Sequence, residues 1–527
     1  MKKNVFLTVF LAIALALNAG AKEYKYQTVK GDLVNSRLYT LDNGLKVYLT
    51  VNKEKPRIQT YIAVRTGSRN DPAETTGLAH YFEHLMFKGT THFGTSDYEK
   101  EAPLLKEIED RFEAYRKVTD PSLRKELYHG IDSVSQLAAQ YNIPNEYDKL
   151  MASIGAQGTN AYTSNDVTCY TEDIPSNEVE NWLRIQSDRF QNAVIRGFHT
   201  ELETVYEEYN MSLVRDMEKS INAMAKILFP THPYGTQTTL GTQEHLKNPS
   251  IVNIKNYYKR YYVPNNIAIC MSGDFDPDAT IALIDNYLGN WQPNNNLSRP
   301  EFPALKPLTA HKDSAVVGQE AENVMLGWRF AGEKELSTDT LNVLARMMCN
   351  GKAGVMELDL EQPMKVQAIQ TFPYTQTDYS AYIILGLPVA GQKLEDVKAL
   401  ILEEIEKMKR GEFDDDLLPS VKNNMKLEYY KSLLSNQSRA DKFVESFVSG
   451  RNWDVAVNTI DRINGITKQQ MVDFINRHFT DNYACVYKRQ GVDTTLAKID
   501  KPQITPIPAN RDKTSQFLKD IASSEAK

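Results

Sequence analysis

The chain has 527 residues, of which 41% are hydrophobic and 24% are charged, and its formal net charge is −7 at pH 7. These proportions are typical of a globular protein, but the length exceeds what one compact core supports and predicts two or more domains. Because the net charge is negative and the chain has no basic stripe, we do not expect a nucleic-acid partner. The four cysteines are far apart in the sequence and have neither zinc-finger nor redox spacing.

The first residues are typical of a bacterial secretory signal peptide. Two lysines precede an apolar run over residues 5–17, and Ala19-Gly20-Ala21 has the small side chains of a cleavage site. A membrane anchor is the alternative, but the run is short for a bilayer span and no later stretch is apolar enough to form one. We therefore expect residues 1–21 to be removed. The mature protein is expected to be periplasmic or secreted, with no stable membrane insertion.

The elements that follow are predicted strands. Alternating residues at 38–41 and 45–51 flank Asp42-Asn43-Gly44, which is a hairpin signal, and a third strand is predicted over 58–65. A helical pattern comes next. Strands followed by helices in this order predict an α+β domain with a mostly antiparallel sheet.

The most informative motif is His80-Tyr81-Phe82-Glu83-His84. Residues i, i+3 and i+4 share one face of a helix, so the two imidazoles and the carboxylate of this H-x-x-E-H stretch converge. We predict that Thr75 or Thr76 caps this helix and that Gly89 ends it. Burying three unpaired polar groups is costly, which favours a metal site over core filling. H-x-x-E-H is the inverted form of a zinc motif, and catalytic zinc needs a third protein ligand from elsewhere.

Residues 99–148 predict a charged helical segment that is broken at Asp120-Pro121-Ser122. Apolar residues in its first half have helical spacing, and Pro121 suits the first turn of a second helix. A solvated surface hairpin is the favoured interpretation of this charged segment, and a substrate-gating element is the alternative.

A helix that begins near His199 offers carboxylates for the third ligand position. It carries four glutamates: Glu201, Glu203, Glu207 and Glu208. Glu201 and Glu208 are seven residues apart and share one face across two turns. Glutamate-rich helices are usually solvated faces, and spacing alone does not choose among the four.

The second half of the chain repeats the first faintly. Residues 289–312 are rich in Pro and Asn and predict a linker. Beyond it, residues 338–351 run parallel to residues 76–89, so that His80, Glu83 and His84 correspond to Asn342, Ala345 and Arg346. The second copy has therefore lost the metal-site side chains.

This pattern predicts a domain organisation. We expect a catalytic zinc-binding α+β domain over 22–288, with a helical insertion at about 99–148. After the linker, a degenerate homologous α+β domain is expected over 313–490. Residues 491–527 contain several prolines and predict a tail or linker.

Several motifs together resemble the family of pitrilysin, insulysin and the mitochondrial processing peptidase. They are His80-x-x-Glu83-His84 with Phe87-Lys88-Gly89-Thr90, Asn160-Ala161-Tyr162-Thr163, the run from Glu201 to Glu208, His232-Pro233-Tyr234-Gly235 with Gly241-Thr242, and Tyr262-Val263-Pro264-Asn265-Asn266. The resemblance extends from about residue 41 to residue 486. It implies two homologous α+β domains, each a mostly antiparallel sheet packed with helices, that form one half of a clamshell peptidase.

The resemblance assigns roles to individual residues. It implies that His80, His84 and Glu208 bind one zinc ion per chain and that Glu83 is the general base acting on a zinc-bound water. Glu201 matches the family's supporting carboxylate. The insertion lengthens the gap between the motif and the third ligand, so Glu207 is retained as the alternative to Glu208.

The implied activity is zinc-dependent endopeptidase hydrolysis of peptides or unfolded polypeptide segments. In proteins that this chain resembles, the stretch at Asn160 and Ala161 is an exposed strand edge that pairs with the substrate backbone. An ordinary edge strand without a substrate is the alternative.

The chain departs from the family at one place. In the family, the half that faces the zinc supplies an Arg and, seven residues later, a Tyr. Here Glu361 and Ala368 occupy those positions. We therefore expect a complementary second half, either a separate subunit or a continuation of a longer chain. A non-catalytic peptide-binding or scaffold subunit and a metal-binding protein without hydrolysis are the competing hypotheses, and the intact H-x-x-E-H motif speaks against the former.

Overall fold

The computed structural model describes residues 22–496, 504–506, 510 and 512–524. The predicted signal peptide over residues 1–21 lies outside this part of the chain. Among the described residues, no helix combines the length and apolar character that crossing a bilayer requires.

Strands form two sheets. Those of the first sheet are β1 (Tyr26–Gln27), β2 (Arg37–Thr40), β3 (Lys46–Val51), β4 (Arg57–Val64), β5 (Gln157–Thr163), β6 (Thr168–Pro175) and β7 (Ile267–Gly273). Those of the second sheet are β8 (Lys312–Gly318), β9 (Asn323–Ala331), β10 (Ala368–Tyr374), β11 (Tyr379–Leu387) and β12 (Tyr483–Gln490).

Helices cover both sheets and connect their strands. In the first half they are α1 (Leu78–Leu85), α2 (Tyr98–Tyr115), α3 (Pro121–Ala139), α4 (Glu146–Ser153), α5 (Val179–Gln191), α6 (Phe198–Ser212), α7 (Asp216–Leu228), α8 (Pro233–Thr236), α9 (Gln243–Lys247), α10 (Ile251–Tyr261) and α11 (Pro277–Leu288). In the second half they are α12 (Ser337–Met348), α13 (Leu394–Lys409), α14 (Leu417–Ser432), α15 (Asn436–Ser449), α16 (Trp453–Val457), α17 (Thr459–Gly465), α18 (Lys468–His478) and α19 (Gln516–Ser524). Single turns lie at Ser68–Asn70, Ser176–Glu178, Pro264–Asn266 and Glu357–Glu361.

The two sheets have the same topology. The first has the strand order β1-β2-β3-β7-β4-β6-β5 and the second β10-β11-β9-β12-β8, so β8-β12-β9-β11-β10 repeats β3-β7-β4-β6-β5. The only parallel pairs among these described strands are β3 with β7 and β8 with β12, which are equivalent in the repeat. The expected α+β fold, with two homologous domains of mostly antiparallel sheet, is confirmed.

The two domains exchange helices. Helix α7 lies in the sequence of the first half, but Met224 and Leu228 pack on the second sheet against residues such as Ile383. Helix α15 lies in the second half, but Phe443 packs on the first sheet against residues such as Tyr61. Each sheet therefore buries its second face only with a helix from the other half, and the apolar area removed from water ties the domains together.

The segment at residues 99–148 forms a helical hairpin, since α2 and α3 pack on each other, but it is part of the core, so the solvated surface position that we favoured from its charge is wrong. Phe112 on α2 is fully buried and its ring lies 4.9 Å from that of Phe198. The Glu101 carboxylate pairs with the buried Arg196 guanidinium at 2.7 and 2.8 Å. Charged residues in this segment are divided between the solvated surface and buried ion pairs, and composition does not reveal its apolar face.

The residues predicted as a tail or linker return to the first domain. Helix α19 packs on α4, with the ring of Phe517 5.5 Å from that of Phe93. The Ser515 N–H donates to the Glu146 carboxylate at 2.7 Å. At least residues 512–524 are thus docked rather than extended away from the fold.

Replacing Glu101 by Ala tests the packing of the insertion. The change leaves Arg196 buried without its ionic partner, which costs about 3–5 kcal/mol. Urea unfolding should show a matching loss, whereas Glu107→Ala, which removes an exposed i,i+4 pair with Arg111, should cost less than about 0.5 kcal/mol. Equal midpoints for the two variants would contradict the buried packing of α2.

Candidate metal centre

The helix that carries the motif is fixed at its N-terminus by a carboxylate. Asp71 accepts the backbone N–H groups of Gly77, Leu78 and Ala79 at 2.8, 3.1 and 3.0 Å. The first turn of a helix leaves these donors without partners and favours an anion. The predicted cap, Thr75 or Thr76, is therefore wrong. Asp71, in the loop that precedes the helix, accepts these N–H groups instead.

Position 77 requires a glycine. Its φ is +86°, a left-handed conformation, and a Cβ there would lie 2.6 Å from the Leu240 carbonyl oxygen. Gly241 approaches the same backbone from the other side. The helix also ends at Leu85, before the predicted stop at Gly89. Close packing of two backbones thus sets where α1 begins.

His80, His84 and Glu208 bring three potential ligand atoms together. The Nε2 atoms of the two histidines are 3.3 Å apart, and the Glu208 carboxylate oxygen lies 3.4 Å from His80 Nε2 and 3.5 Å from His84 Nε2. Among the described residues, this is the one group of His, Cys, Asp and Glu side chains with such converging ligand atoms. Glu207 does not belong to it.

These three atoms fit a zinc ion. Zinc bonds of about 2.0–2.2 Å in a tetrahedron put neighbouring ligand atoms about 3.3–3.5 Å apart, which matches the observed triangle. Two imidazole nitrogens and one carboxylate oxygen are also a donor set of catalytic zinc, with a fourth position left for water or substrate.

The protonation states of His80 and Glu208 suit metal binding, whereas His84, whose pKa is raised, would release a proton when zinc binds. Burial, with the neighbouring His84, lowers the pKa of His80 to about 4, so its imidazole is neutral at pH 7. The hydrogen bond to His84 lowers the pKa of Glu208, which is ionised. A neutral imidazole and a carboxylate are the forms that bind zinc. His80 Nδ1 is buried and has no hydrogen-bond partner among the described residues.

Glu201 contacts the ring nitrogen of His84 that does not face Glu208. His84 Nδ1–H donates to the Glu201 carboxylate at 2.8 Å, and Lys88 pairs with the other carboxylate oxygen. Burial lowers the pKa of His84, but its hydrogen bonds to Glu201 and Glu208 outweigh burial and raise it to about 9. The contact orients the imidazole so that Nε2 faces Glu208, which is how outer carboxylates orient metal ligands.

Glu83 lies on the same face of α1 but is not one of the three converging ligands. Its carboxylate accepts the Thr163 hydroxyl at 2.5 Å. Burial raises its pKa above the usual range for a glutamate. A carboxylate with a raised pKa, next to a metal-binding group and open to a cleft, can accept and return a proton.

Strand β5 lines the cleft beside this group. It is the edge strand of the first sheet and pairs with β6 alone among the described strands. Asn160 is exposed, Ala161 is half-buried, and both line an open cleft of about 580 Å³ together with the two histidines and Glu83. The predicted substrate-binding stretch thus has free backbone donors and acceptors where the metal ligands meet.

Glu361 and Ala368 stand where the family has its Arg and Tyr. Both have local structural roles instead. The Glu361 carboxylate accepts the backbone N–H of Ile369 at 3.1 Å, and Ala368 pairs with Leu387 at the start of β10. Neither residue lines the cleft that contains the histidines. The described part of the chain therefore holds no Arg and Tyr at these positions.

Sequence reasoning missed the residues that hold the site together. Asp71, Lys88 and Thr163 were given no role, although Lys88 and Thr163 lie within the motifs that carried the resemblance. Arg189 is buried among the rings of Phe87, Tyr147 and Tyr170 and donates to the Met86 carbonyl at the end of α1. An arginine in the apolar pattern of α5 was the available signal for such a buried contact.

Together, the fold and the site define one half of a clamshell peptidase whose first domain carries the intact motif. Two family profiles match the chain: "Insulinase (Peptidase family M16)" over residues 46–112 and "Peptidase M16 inactive domain" over residues 251–425. Both profiles belong to peptidase family M16, and the resemblance drawn from the motifs is confirmed.

Relatives of known name agree with this family. "Zinc protease PqqE" of Helicobacter pylori is 23% identical over 466 residues, which cover 85% of this chain and 89% of the relative. The crystal structure of a protease from Helicobacter pylori has a TM-score of 0.72 at 20% identity, over 87% of this chain and all of that one (100%). The periplasmic protease PqqL from Escherichia coli has a TM-score of 0.66 at 14% identity, over 95% of this chain but 51% of that one.

Replacing Glu208 by Gln tests the third ligand. The change removes a charged ligand atom from the group and should lower zinc affinity by more than about 100-fold. Loss of a residue that only hydrogen-bonds to a metal ligand already costs about 10–100-fold. Glu207→Gln, one position away on the same helix, should leave affinity unchanged. Competition with a chromophoric chelator measures both, and a larger loss in the Glu207 variant would reverse the assignment.

Proposed function

We propose that this chain is a zinc-dependent endopeptidase that hydrolyses peptides or unfolded polypeptide segments. The observation that carries the proposal is the triangle of His80, His84 and Glu208 ligand atoms, with the Glu83 carboxylate beside it in the cleft that β5 borders. The match to two profiles of peptidase family M16 supports a peptidase at the level of the class. The roles of the individual residues are our inference from the geometry.

Zinc held by these three residues would polarise the scissile carbonyl and make a water molecule easier to deprotonate. Glu83 would take a proton from the attacking water and deliver it to the departing amine. Its buried position favours this exchange, because a raised pKa keeps the protonated and ionised forms closer in free energy at neutral pH. Thr163 would keep the carboxylate turned toward the cleft through its hydroxyl.

The backbone of β5 would bind the substrate. An extended peptide could add to the free edge of the first sheet and pair with the main chain around Asn160 and Ala161. Main-chain pairing provides affinity without selecting a particular side chain, and it requires an extended substrate. This supports peptides and unfolded segments, rather than compact folded proteins, as the substrate class.

We also propose that a second half completes the site. The support is the absence of the Arg and Tyr pair at Glu361 and Ala368, and the observation that the chain covers only 51% of the periplasmic protease PqqL. The predicted signal peptide supports action in the periplasm or outside the cell.

Replacing Glu83 by Gln separates hydrolysis from mere metal binding. The variant keeps the ligand atoms and should retain one zinc ion per chain, while turnover of an unstructured peptide falls about 10²–10⁴-fold because the general base is lost. Metal analysis and a fluorogenic peptide assay on the same preparation check both parts. Unchanged turnover would overturn the role of Glu83, and a wild-type chain that binds zinc but cleaves nothing under any condition would favour a metal-binding protein.

Adding a candidate second half tests the incomplete site. We expect weak cleavage by the chain alone and a large rise in kcat when a partner that supplies Arg and Tyr is added. Analytical ultracentrifugation should show the complex under the same conditions. Full turnover by the monomer or homodimer, unaffected by the partner, would contradict the proposal.

A further inference from the structure

A second cleft lies between the two domains. It has a volume of about 390 Å³, and its walls come from α7, the second sheet and loops of the first domain. The apolar part of the wall is formed by Met217, Ile221, Met224, Phe229, Tyr374 and Ile383. The cleft is thus mostly apolar and large enough for one large side chain, with no residue of the metal centre in its wall.

Two separate segments of the chain lead from the metal centre to this cleft. Strand β5 ends at Thr163, which contacts Glu83, and Asn165 two residues later lines the cleft. Helix α6 carries Glu208, and the connection after it reaches Met217 at the rim. A substrate segment that follows the edge of β5 beyond Thr163 would therefore arrive at the cleft within a few residues, at about 3.3 Å per residue.

The surface between the metal centre and this cleft exposes several apolar side chains. Met211, Val214 and Met217 are exposed along the end of α6 and the start of α7, with Met217 40% exposed. The exposed Arg215 lies among them, so a segment crossing this surface meets apolar side chains and one positive charge.

Polar atoms in the cleft lack partners. The Oε1 atoms of Gln376 and Gln237 are buried, and neither has a hydrogen-bond partner among the described residues. Gln376 is only 6% exposed. A buried amide oxygen without a donor costs free energy.

The walls of the cleft are fixed relative to each other. Asp166, which follows β5, accepts the backbone N–H of Thr377 at 3.0 Å, and the Tyr234 hydroxyl donates to the same carboxylate at 2.9 Å. Arg69 pairs with Asp166 at 3.0 Å and with Asp378 at 2.6 Å. These contacts hold the turn after β10 against the first domain, so the cleft is formed before any ligand binds.

We propose that this cleft is a distal subsite for a large apolar side chain of the peptide substrate. Because β5 runs toward the cleft, a peptide paired antiparallel with β5 places residues N-terminal to the scissile bond there. The inference rests on the proposed function for its substrate, but not on turnover, because binding alone reports it.

Peptide binding to zinc-loaded chain with Glu83→Gln tests the subsite. The probe is a fluorescently labelled, unstructured peptide in which one Phe is moved stepwise along a Ser/Gly background, and anisotropy gives the Kd. We expect one Phe position, N-terminal to the site cut by the wild-type chain alone or with its second half, to tighten binding by at least about tenfold. Adding Met217→Glu should remove this gain and leave the affinity of the Phe-free peptide unchanged.

The matched control is Met364→Glu, which makes the same change at a 65% exposed methionine in the second domain that does not line the cleft. It should preserve the Phe gain.

Different results overturn different statements. A Phe gain that survives Met217→Glu, or no preferred Phe position in a chain that binds the peptide, would overturn the subsite and leave the peptidase proposal intact. Failure of the zinc-loaded chain, alone and with its second half, both to cleave and to bind the peptides would overturn the proposed function, and the subsite with it.

Discussion

The contact between α1 and α6 is the constraint on which the candidate centre depends. The two helices are more than a hundred residues apart in the sequence, yet they supply all three ligand atoms. Their packing is fixed by the Tyr81 hydroxyl, which donates to the Phe198 carbonyl at 2.5 Å, and by the adjacent rings of these two residues. His84 and Glu201 add a charged contact on the same interface. Buried, well-packed helices position side chains within fractions of an ångström, which is what a metal site requires.

The insertion strengthens that interface. Arg196 precedes α6, pairs with Glu101 of α2, and donates to the carbonyls of Lys88 and Thr90 in the loop after α1. The inserted helices therefore support the region between the motif and its third ligand. Their charged composition suggested a surface element because a charge count does not separate solvated charges from charges, such as Glu101, that are buried in ion pairs.

Local patterns predicted much of the site because chemistry of this kind needs particular residues at fixed spacing. The helical period placed His80, Glu83 and His84 on one face, and the strands around Asn43-Gly44 follow from alternation and turn chemistry. The choice of Glu208 over its neighbours came from the resemblance, since four glutamates on one helix are equivalent in a period argument. Asp71 and Arg189 could not be assigned a partner from spacing, because their contacts depend on how distant segments pack. The exchange of α7 and α15 could not be predicted either, because the apolar face of a helix does not indicate which sheet it covers.

That exchange makes the linker a poor place to divide the molecule. Separated from the other half, each sheet would lose the helix that covers one of its faces and would present that apolar face to water. The two domains should accordingly behave as one mechanical body, unable to swing about residues 289–312. If the proposed second half is present, any opening that admits a substrate to the cleft, and any closing that excludes water from it, would occur at the boundary between this chain and that half.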